Sequence, residues 1–145
     1  MRRHKDILVV LLDGEHARFV RPDEEGNVLH TERRFGPDQL RRHSDEVQTD
    51  RPIDPHHDHP HERAKARFAA FIGAEINALG AEGFEGLVIA APAHILNYVQ
   101  EELRADIRAK LLGTVAKDLT KTPDDELWPH LKDYVPPPTP DRFIK

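Results

Sequence analysis

Four histidines and three carboxylates lie close together near the middle of the chain, a combination that could bind a metal ion. The histidines are His56, His57, His59 and His61, and the carboxylates are Asp54, Asp58 and Glu62. Imidazole and carboxylate groups are common protein ligands of zinc, nickel and copper. In an extended segment alternate side chains share a face, so the histidines at 57, 59 and 61 could converge on one ion.

A solvated, pH-sensitive loop explains the same histidines without a metal. Asp58 or Glu62 would then favour the positive end of the helix that follows. A metal site built from neighbouring loop residues must also overcome the entropy that is lost when the loop becomes ordered. The sequence therefore favours the solvated loop. It predicts no cofactor beyond weak zinc or nickel binding at His56, His57, His59 and His61.

Basic side chains around this segment could contact a phosphate or another partner. The candidate partner-binding residues there are Arg41, Arg42, Thr49, Asp50 and Arg51. Acidic residues are interspersed among the basic ones, a mixture that is typical of a solvated surface. Lys117 and Asp118 join the candidates because they follow a predicted strand, and strand carboxyl ends often line binding crevices. A plain loop leading to the next helix is the other explanation of this pair.

Asp13 could hold a divalent cation at the end of the first predicted strand. Nuclease or phosphotransferase chemistry of that kind needs further carboxylates that coordinate the metal together. The sequence offers Asp118 and, less clearly, Glu32 at other strand ends. A turn formed by Asp13 and Gly14 explains these two residues without chemistry. A metal-dependent hydrolase is therefore the alternative to a non-catalytic binding protein.

Composition limits the classes of function further. The chain has 145 residues, no cysteine and a formal net charge of -5 at pH 7. The missing cysteines exclude disulfides, thiolate metal sites and cysteine nucleophiles. The negative charge argues against unaided binding to nucleic acid or anionic membranes, although a local basic patch is compatible with it. The apolar run after the basic N-terminus is too short for a signal peptide or a membrane span, so we expect a cytoplasmic protein without membrane insertion.

Apolar patterns and turn signals predict five strands and three helices. The strand candidates span 7–12, 17–21, 28–32, 87–91 and 111–116, and the helix candidates span 61–79, 96–107 and 122–131. We expect the second helix to break near Arg104 and Thr122 to cap the third. The sequence gives no indication of the oligomeric state.

One apolar stripe on the first predicted helix should pack on the sheet. Its members are Phe68, Phe71, Ile72, Ile76 and Leu79. We expect Leu29, Val88 and Val115 on the strands to be core residues as well.

The order β-β-β-loop-α-β-α-β-α predicts an α/β fold with a mixed five-stranded sheet and helices on both faces. Residues 36–60 show no regular pattern, and a loop of this length is usually functional or disordered. We predict a single α/β domain over residues 1–131, with 36–60 as a long irregular loop. The proline-rich tail over 132–145 should be extended.

Six segments carry a resemblance to a known family. They are Leu12–Phe19, Thr49–Pro52, Asp54–His56, Phe68, Leu87–Pro92 and Ala116–Lys121. In this order and spacing they resemble the bacterial host attachment protein family, which is similar to the middle domain of archaeal and eukaryotic class I release factors. The resemblance implies a ribonuclease-H-like α/β fold. It also implies a role at the ribosome or on RNA, exerted through the 36–60 loop, in preference to direct adhesion.

The glutamine-bearing motif of release factors is missing from the corresponding loop. In those factors the loop carries Gly-Gly-Gln, which promotes peptidyl-tRNA hydrolysis on the ribosome. Here residues 36–60 contain only Gln39 and Gln48, and neither adjoins a glycine. The resemblance therefore implies the scaffold without the release chemistry, and we expect a non-catalytic binding protein.

Overall fold

The computed structural model of the chain describes residues 7–23, 28–36, 60–80 and 83–134, and at positions 60 and 61 it describes the backbone alone. The strands are β1 (Ile7–Leu12), β2 (Ala17–Pro22), β3 (Leu29–Phe35), β4 (Gly86–Ala90) and β5 (Leu111–Val115). The helices are α1 (Pro60–Gly80), α2 (Ala93–Glu102), α3 (Ala105–Arg108) and α4 (Trp128–Leu131), with a 3₁₀ turn at Asp124–Glu126.

All of these strands belong to one sheet with the order β3-β2-β1-β4-β5. The pairs β1–β2 and β2–β3 are antiparallel, whereas β1–β4 and β4–β5 are parallel. Every residue of β1 and β4 is buried, which explains why their sequences are continuous apolar runs instead of alternating ones. The predicted mixed five-stranded α/β sheet is confirmed. Its strand order is consistent with the ribonuclease-H-like fold that the resemblance implies.

One face of the sheet packs against α1 and α2. The predicted stripe of α1 lies in this core, with Leu79 partly buried and the other members buried: Phe68, Phe71, Ile72 and Ile76. The two helices approach closely at Gly73, because a Cβ at this position would lie 2.7 Å from the Cβ of Glu102 in α2. The packing predicted for the stripe is therefore confirmed.

The opposite face is covered by the segment that follows β5. Leu127 and Leu131 from this segment belong to a second buried cluster, which also contains the predicted core residues Leu29, Val88 and Val115. Since α1 and α2 lie on one face and the 3₁₀ turn and α4 on the other, helical segments cover both faces, as predicted.

The structure defines two of the element boundaries for which the sequence makes a prediction. β3 runs to Phe35 instead of ending at Glu32, because its pairing with β2 continues until Ala17 lies opposite Phe35. The predicted break near Arg104 is confirmed: this residue is extended, with φ -68° and ψ 159°, and it separates α2 from α3.

Thr122 does not cap a helix as predicted. Pro123 precedes the 3₁₀ turn, and no side chain caps that turn. The loop is fixed instead through the carbonyl of Thr122, which accepts a hydrogen bond from Arg18. The single helix predicted over 122–131 is consequently a 3₁₀ turn followed by the short helix α4.

Most of the predicted irregular loop and of the predicted tail lies outside the described residues. Gly36 has no regular structure, and Pro60 already belongs to α1. Positions 132–134 form a turn in which the backbone N–H of Tyr134 donates to the carbonyl of Leu131. The division into a domain over 1–131 and an extended tail over 132–145 stays a prediction.

Within the described ranges, no helix combines the length and the apolar character that crossing a membrane requires.

Candidate functional site

The carboxyl ends of the parallel strands meet at one edge of the sheet. Asp13 directly follows β1, and Lys117 lies just beyond β5. The strand register places Phe35, the last residue of β3, level with the end of β1. We call this side of the sheet, defined by Asp13, Phe35 and Lys117, the carboxyl edge. Gly36, where the predicted 36–60 loop begins, therefore leaves the sheet here.

Helix α1 also begins at the carboxyl edge. The side chain of Lys65 lies against the β1–β2 turn, where a Cβ added to Gly14 would be 2.9 Å from Lys65 Cγ. Lys65 is little more than one helical turn from Pro60, the first residue of α1. Both ends of the 36–60 segment are therefore attached to the carboxyl edge.

Thr120 joins two of the three carboxylates that the sequence offered as metal ligands, Asp13 and Asp118. Asp13 Oδ1 accepts hydrogen bonds from the backbone N–H groups of Glu15, at 2.8 Å, and His16, at 2.6 Å. The hydroxyl oxygen of Thr120 lies 3.0 Å from Asp13 Oδ2 and 2.6 Å from Asp118 Oδ1. Asp13 therefore closes a turn, as its structural explanation predicted, and also lies near Asp118.

Among the described residues, no third carboxylate joins Asp13 and Asp118. Glu32 is exposed on β3, where its Oε1 accepts a hydrogen bond from Arg21 Nε at 3.1 Å. In the part of the chain that the structure describes, no group of three or more His, Asp or Glu side chains is placed to hold a metal ion. The observed role of Asp13 is to order the turn and the loop after β5.

Glu62 and Tyr98 link the start of α1 to α2. The Tyr98 hydroxyl donates a hydrogen bond to Glu62 Oε1 at 3.0 Å, and Lys65 Nζ lies 3.5 Å from Glu62 Oε2. The hydrogen bond from Tyr98 is the main cause that holds the pKa of Glu62 below its usual value, and the same bond raises the pKa of Tyr98. These contacts fix the position at which the 36–60 segment enters α1.

His61 lies in the first turn of α1, because the helix begins at Pro60. The convergence of the histidines at 57, 59 and 61 on one ion stays a prediction, because only the backbone of His61 is described. His56, His57 and His59 lie outside the described residues, and weak metal binding stays a prediction.

Arg18 of β2 is a buried charged residue, with 4% of its surface exposed. Its Nη1 donates to backbone carbonyls of the loop after β5, at 3.3 Å for Leu119, 3.0 Å for Thr120 and 2.5 Å for Thr122. A guanidinium group is planar and rigid and presents several donors, so it can hold several acceptors in place at once. Arg18 therefore fixes the loop after β5 on the sheet.

Asp124 neutralises Arg18. Its Oδ1 lies 2.5 Å from Arg18 Nη2 and accepts from the Thr31 hydroxyl at 2.5 Å, and its Oδ2 accepts from the Thr31 backbone N–H at 2.9 Å. Burial by itself raises the pKa of Asp124, but the hydrogen bonds from Thr31 and Arg18 outweigh it and hold the pKa below its usual value. The ionised carboxylate ties the 3₁₀ turn to β2 and β3.

An open groove with a volume of about 660 Å³ lies between strands β2 and β3 and the loop after β5. It is lined by Arg18, Arg34 and the run Thr120–Asp125. Arg34 of β3 lies directly opposite Arg18 of β2 in the antiparallel ladder, next to the carboxyl edge. We call this concavity the Arg34 groove. It is a second polar feature of the carboxyl edge, beside the two ends of the 36–60 segment.

The predicted partner-binding residues divide into two sets. Arg41, Arg42, Thr49, Asp50 and Arg51 all lie outside the described residues. Lys117 and Asp118 are exposed at the carboxyl edge, where the strand-end argument placed them. Asp118 contacts Thr120, and the backbone N–H of Lys117 donates to the carbonyl of Val115 at 2.9 Å. A partner-binding role for either set is still a prediction.

Sequence reasoning did not single out Arg18, Thr31 or Asp124. One signal was present, because strand alternation places Arg18 on the same face of β2 as the buried Val20. A charged residue on a buried face requires a charged or hydrogen-bonded partner. The acidic run after Pro123 contains that partner, but the sequence does not show that this run returns to β2.

Comparison with known proteins gives one family. The model of bacterial archaeo-eukaryotic release factor family 12 matches residues 6–131. No curated protein matches the sequence. The family match supports the release-factor part of the resemblance seen in the sequence and gives no support to the host-attachment part.

Proposed function

We propose that this chain, which belongs to bacterial archaeo-eukaryotic release factor family 12, is a non-catalytic binding domain that acts in translation. Its partner is the ribosome or ribosomal RNA, and its binding surface is the carboxyl edge together with the 36–60 segment. The observation that carries the proposal is the family match over residues 6–131, which spans the whole described sheet and the 36–60 segment.

The geometry of the carboxyl edge supports this assignment of the surface. β3 ends there at Phe35, and the side chain of Lys65 in α1 lies against Gly14 at the same edge. Loops whose two ends are held on a rigid scaffold commonly carry function, which supports the 36–60 segment as part of the binding surface. Lys117 and Asp118 lie exposed beside it.

Two observations support binding without catalysis. The 36–60 segment contains no Gly-Gly-Gln, so it lacks the tripeptide through which release factors promote hydrolysis. Asp13, the carboxylate at the end of β1, is occupied by two backbone N–H groups and the Thr120 hydroxyl. Over residues 7–23, 28–36, 60–80 and 83–134, no arrangement of side chains favours the metal-dependent hydrolase. A metal-supplemented phosphodiester assay comparing wild type with Asp13→Asn tests that alternative.

Sedimentation with ribosomes tests the proposal. The purified full chain is mixed with ribosomes from the native cell and run on sucrose gradients at low and at moderate salt. We expect part of the protein to migrate with the ribosomal peak, and less of it at the higher salt, since contacts to phosphate weaken as salt rises.

A pair of charge-matched variants localises the contact. Arg41→Gln/Arg42→Gln removes two cations from the 36–60 segment, and Arg104→Gln/Arg108→Gln removes two cations near α3, which precedes β5 and so lies at the opposite edge. We expect co-sedimentation to fall in the first variant and not in the second. Protein that stays at the top of the gradient at both salt concentrations would refute the proposal.

The host-attachment role that the sequence resemblance implies is a separate hypothesis. An indirect effect of a translation domain on adhesion would explain it. The hypothesis would fail if cells that lack this protein adhered to host cells as well as the wild type.

A further inference from the structure

We propose that the Arg34 groove binds the phosphate backbone of single-stranded RNA, with Arg34 and Lys121 as the groups that contact phosphate. The inference rests on the proposed function only for the choice of RNA as the source of the phosphate. The groove itself is argued from the side chains that build it.

One wall of the groove is held in a fixed conformation. This wall is the run Thr120–Asp125, and Arg18 donates to three carbonyls in or beside it while also pairing with Asp124. At the start of the run, the Thr120 hydroxyl is held between Asp13 and Asp118. A wall that is already ordered loses little entropy when a ligand binds, which favours recognition.

The side chains that line the groove carry a net positive charge. Arg18 and Asp124 neutralise each other across 2.5 Å. Arg34 and Lys121 are exposed, and neither side chain forms an ion pair or hydrogen bond within the described ranges. The exposed carboxylate of Asp125 opposes these two cations. The groove therefore keeps a net positive charge, although the chain as a whole carries -5.

A phosphodiester matches this charge better than a phosphate monoester does. A monoester carries about -1.5 to -2 charges at neutral pH, whereas each backbone phosphodiester carries a single negative charge. The groove is open, so a chain can pass through it. Its described lining contains no aromatic side chain on which a base could stack. These features indicate contact with the backbone, without preference for the base sequence.

The position of the groove supports RNA as the ligand. Arg34 lies two positions before Gly36, the point at which the 36–60 segment leaves the sheet. A strand of RNA that contacts that segment could therefore continue into the groove without leaving the carboxyl edge. This continuity links the groove to the binding surface proposed above.

Fluorescence anisotropy with a labelled single-stranded RNA of mixed sequence tests the inference. The variant is Arg34→Gln/Lys121→Gln, and the control is Arg108→Gln/Lys132→Gln, two exposed cations that do not line the groove. We expect the groove variant to bind roughly tenfold more weakly than wild type and the control to bind as wild type does. The slope of log affinity against log salt should decrease by roughly 1.4, about 0.7 for each lost contact to a single strand. Urea unfolding should show equal stability for both variants, since exposed substitutions change it little.

Three results would overturn the inference: no RNA binding by the wild type, equal weakening in both variants, or a groove that takes inorganic phosphate but not RNA. Ribosome sedimentation separates this failure from failure of the proposed function. If the chain co-sediments with ribosomes but Arg34→Gln/Lys121→Gln leaves its RNA affinity unchanged, the proposed function stands and the proposal for the groove is rejected. RNA binding through the groove without co-sedimentation would reject only the ribosomal function.

Discussion

Arg18 joins three parts of the molecule that are distant in sequence. It lies on β2, contacts Thr31 on β3, and donates to the loop after β5 and to Asp124. Replacing it with leucine would remove the Arg18 donor from three carbonyls and leave Asp124 with its hydrogen bonds from Thr31 alone. Because Asp124 is partly solvated, we expect the free energy of unfolding to fall by about 2–4 kcal/mol, short of the full cost of an unpaired buried charge. Urea unfolding, followed by the fluorescence of Trp128, measures this loss of stability. Trp128 is the only tryptophan of the chain.

Arg21→Leu provides the control on the same strand. Arg21 pairs with the exposed Glu32 at 3.1 Å. Exposed pairs contribute about 0–1 kcal/mol, so this substitution should cost much less than Arg18→Leu. Equal losses in the two variants would contradict the role assigned to Arg18.

The Thr120 hydroxyl bridges the carboxylates of Asp13 and Asp118. Thr120→Val removes this hydroxyl at nearly constant volume, and we expect the free energy of unfolding to fall by about 1–3 kcal/mol because a buried hydrogen bond is lost. Thr120→Ser retains the hydroxyl and should lose less. Chemical denaturation of the two variants decides the matter, and a valine variant as stable as the serine variant would refute this account.

Most of the candidate site depended on contacts that sequence patterns do not show. Asp13 and Asp118 could be placed at strand ends because buried apolar runs mark β1 and β5. Their link through Thr120, and the Arg18–Asp124 pair, needed the loop after β5 to fold back over the sheet. Hydrophobic periodicity predicts which face is buried, but it does not predict which distant polar groups meet.

Helices α1 and α2 approach each other closely at Gly73. A Cβ there would lie 2.7 Å from Glu102 Cβ and 3.4 Å from the Val99 carbonyl oxygen. Helix propensity alone would make Gly73→Ala stabilising by about 0.5–1 kcal/mol. We expect the opposite sign, a destabilisation of about 1–3 kcal/mol, because the helices must separate. Thermal unfolding gives the sign directly, and a raised Tm would contradict the close approach.

The apolar stripe of α1 provides a second test of the packing. Ile76 is fully buried between α1 and the sheet, so Ile76→Ala should reduce the free energy of unfolding by about 2–5 kcal/mol. Ala74 is exposed on the same helix, and Ala74→Gly should cost only about 1 kcal/mol, from helix propensity. Denaturant unfolding gives the loss in the free energy of unfolding for each variant. Losses of similar size would contradict the burial of the stripe.

Elements with strong local patterns were the predictable ones. β1 and β4 are unbroken apolar runs, and α1 carries its stripe at helical spacing. The end of β3 and the division of the last helix were not predictable. β3 is extended by its partner β2, and the segment from Thr122 onward is shaped by Arg18.

Acid should lower the free energy of unfolding of the protein by protonating Asp124. Folding lowers the pKa of this carboxyl below its usual 3.8, so its charge stabilises the folded protein above that value. The stabilisation is lost as the pH falls through the lower pKa of the folded state. The stability difference between wild type and Asp124→Asn should therefore be largest near neutral pH and narrow only below the usual pKa. Urea unfolding over this pH range measures it, and a difference that is constant with pH would contradict the network.

Ribosomes that carry labelled peptidyl-tRNA provide the most direct test of a translation domain that binds without releasing the peptide. The full chain is incubated with such complexes, which are then pelleted through a sucrose cushion, and both the bound protein and the freed peptide are counted. We expect the protein in the pellet and peptide release no faster than in buffer. Protein left in the supernatant would contradict the binding function, and accelerated release would contradict its non-catalytic character.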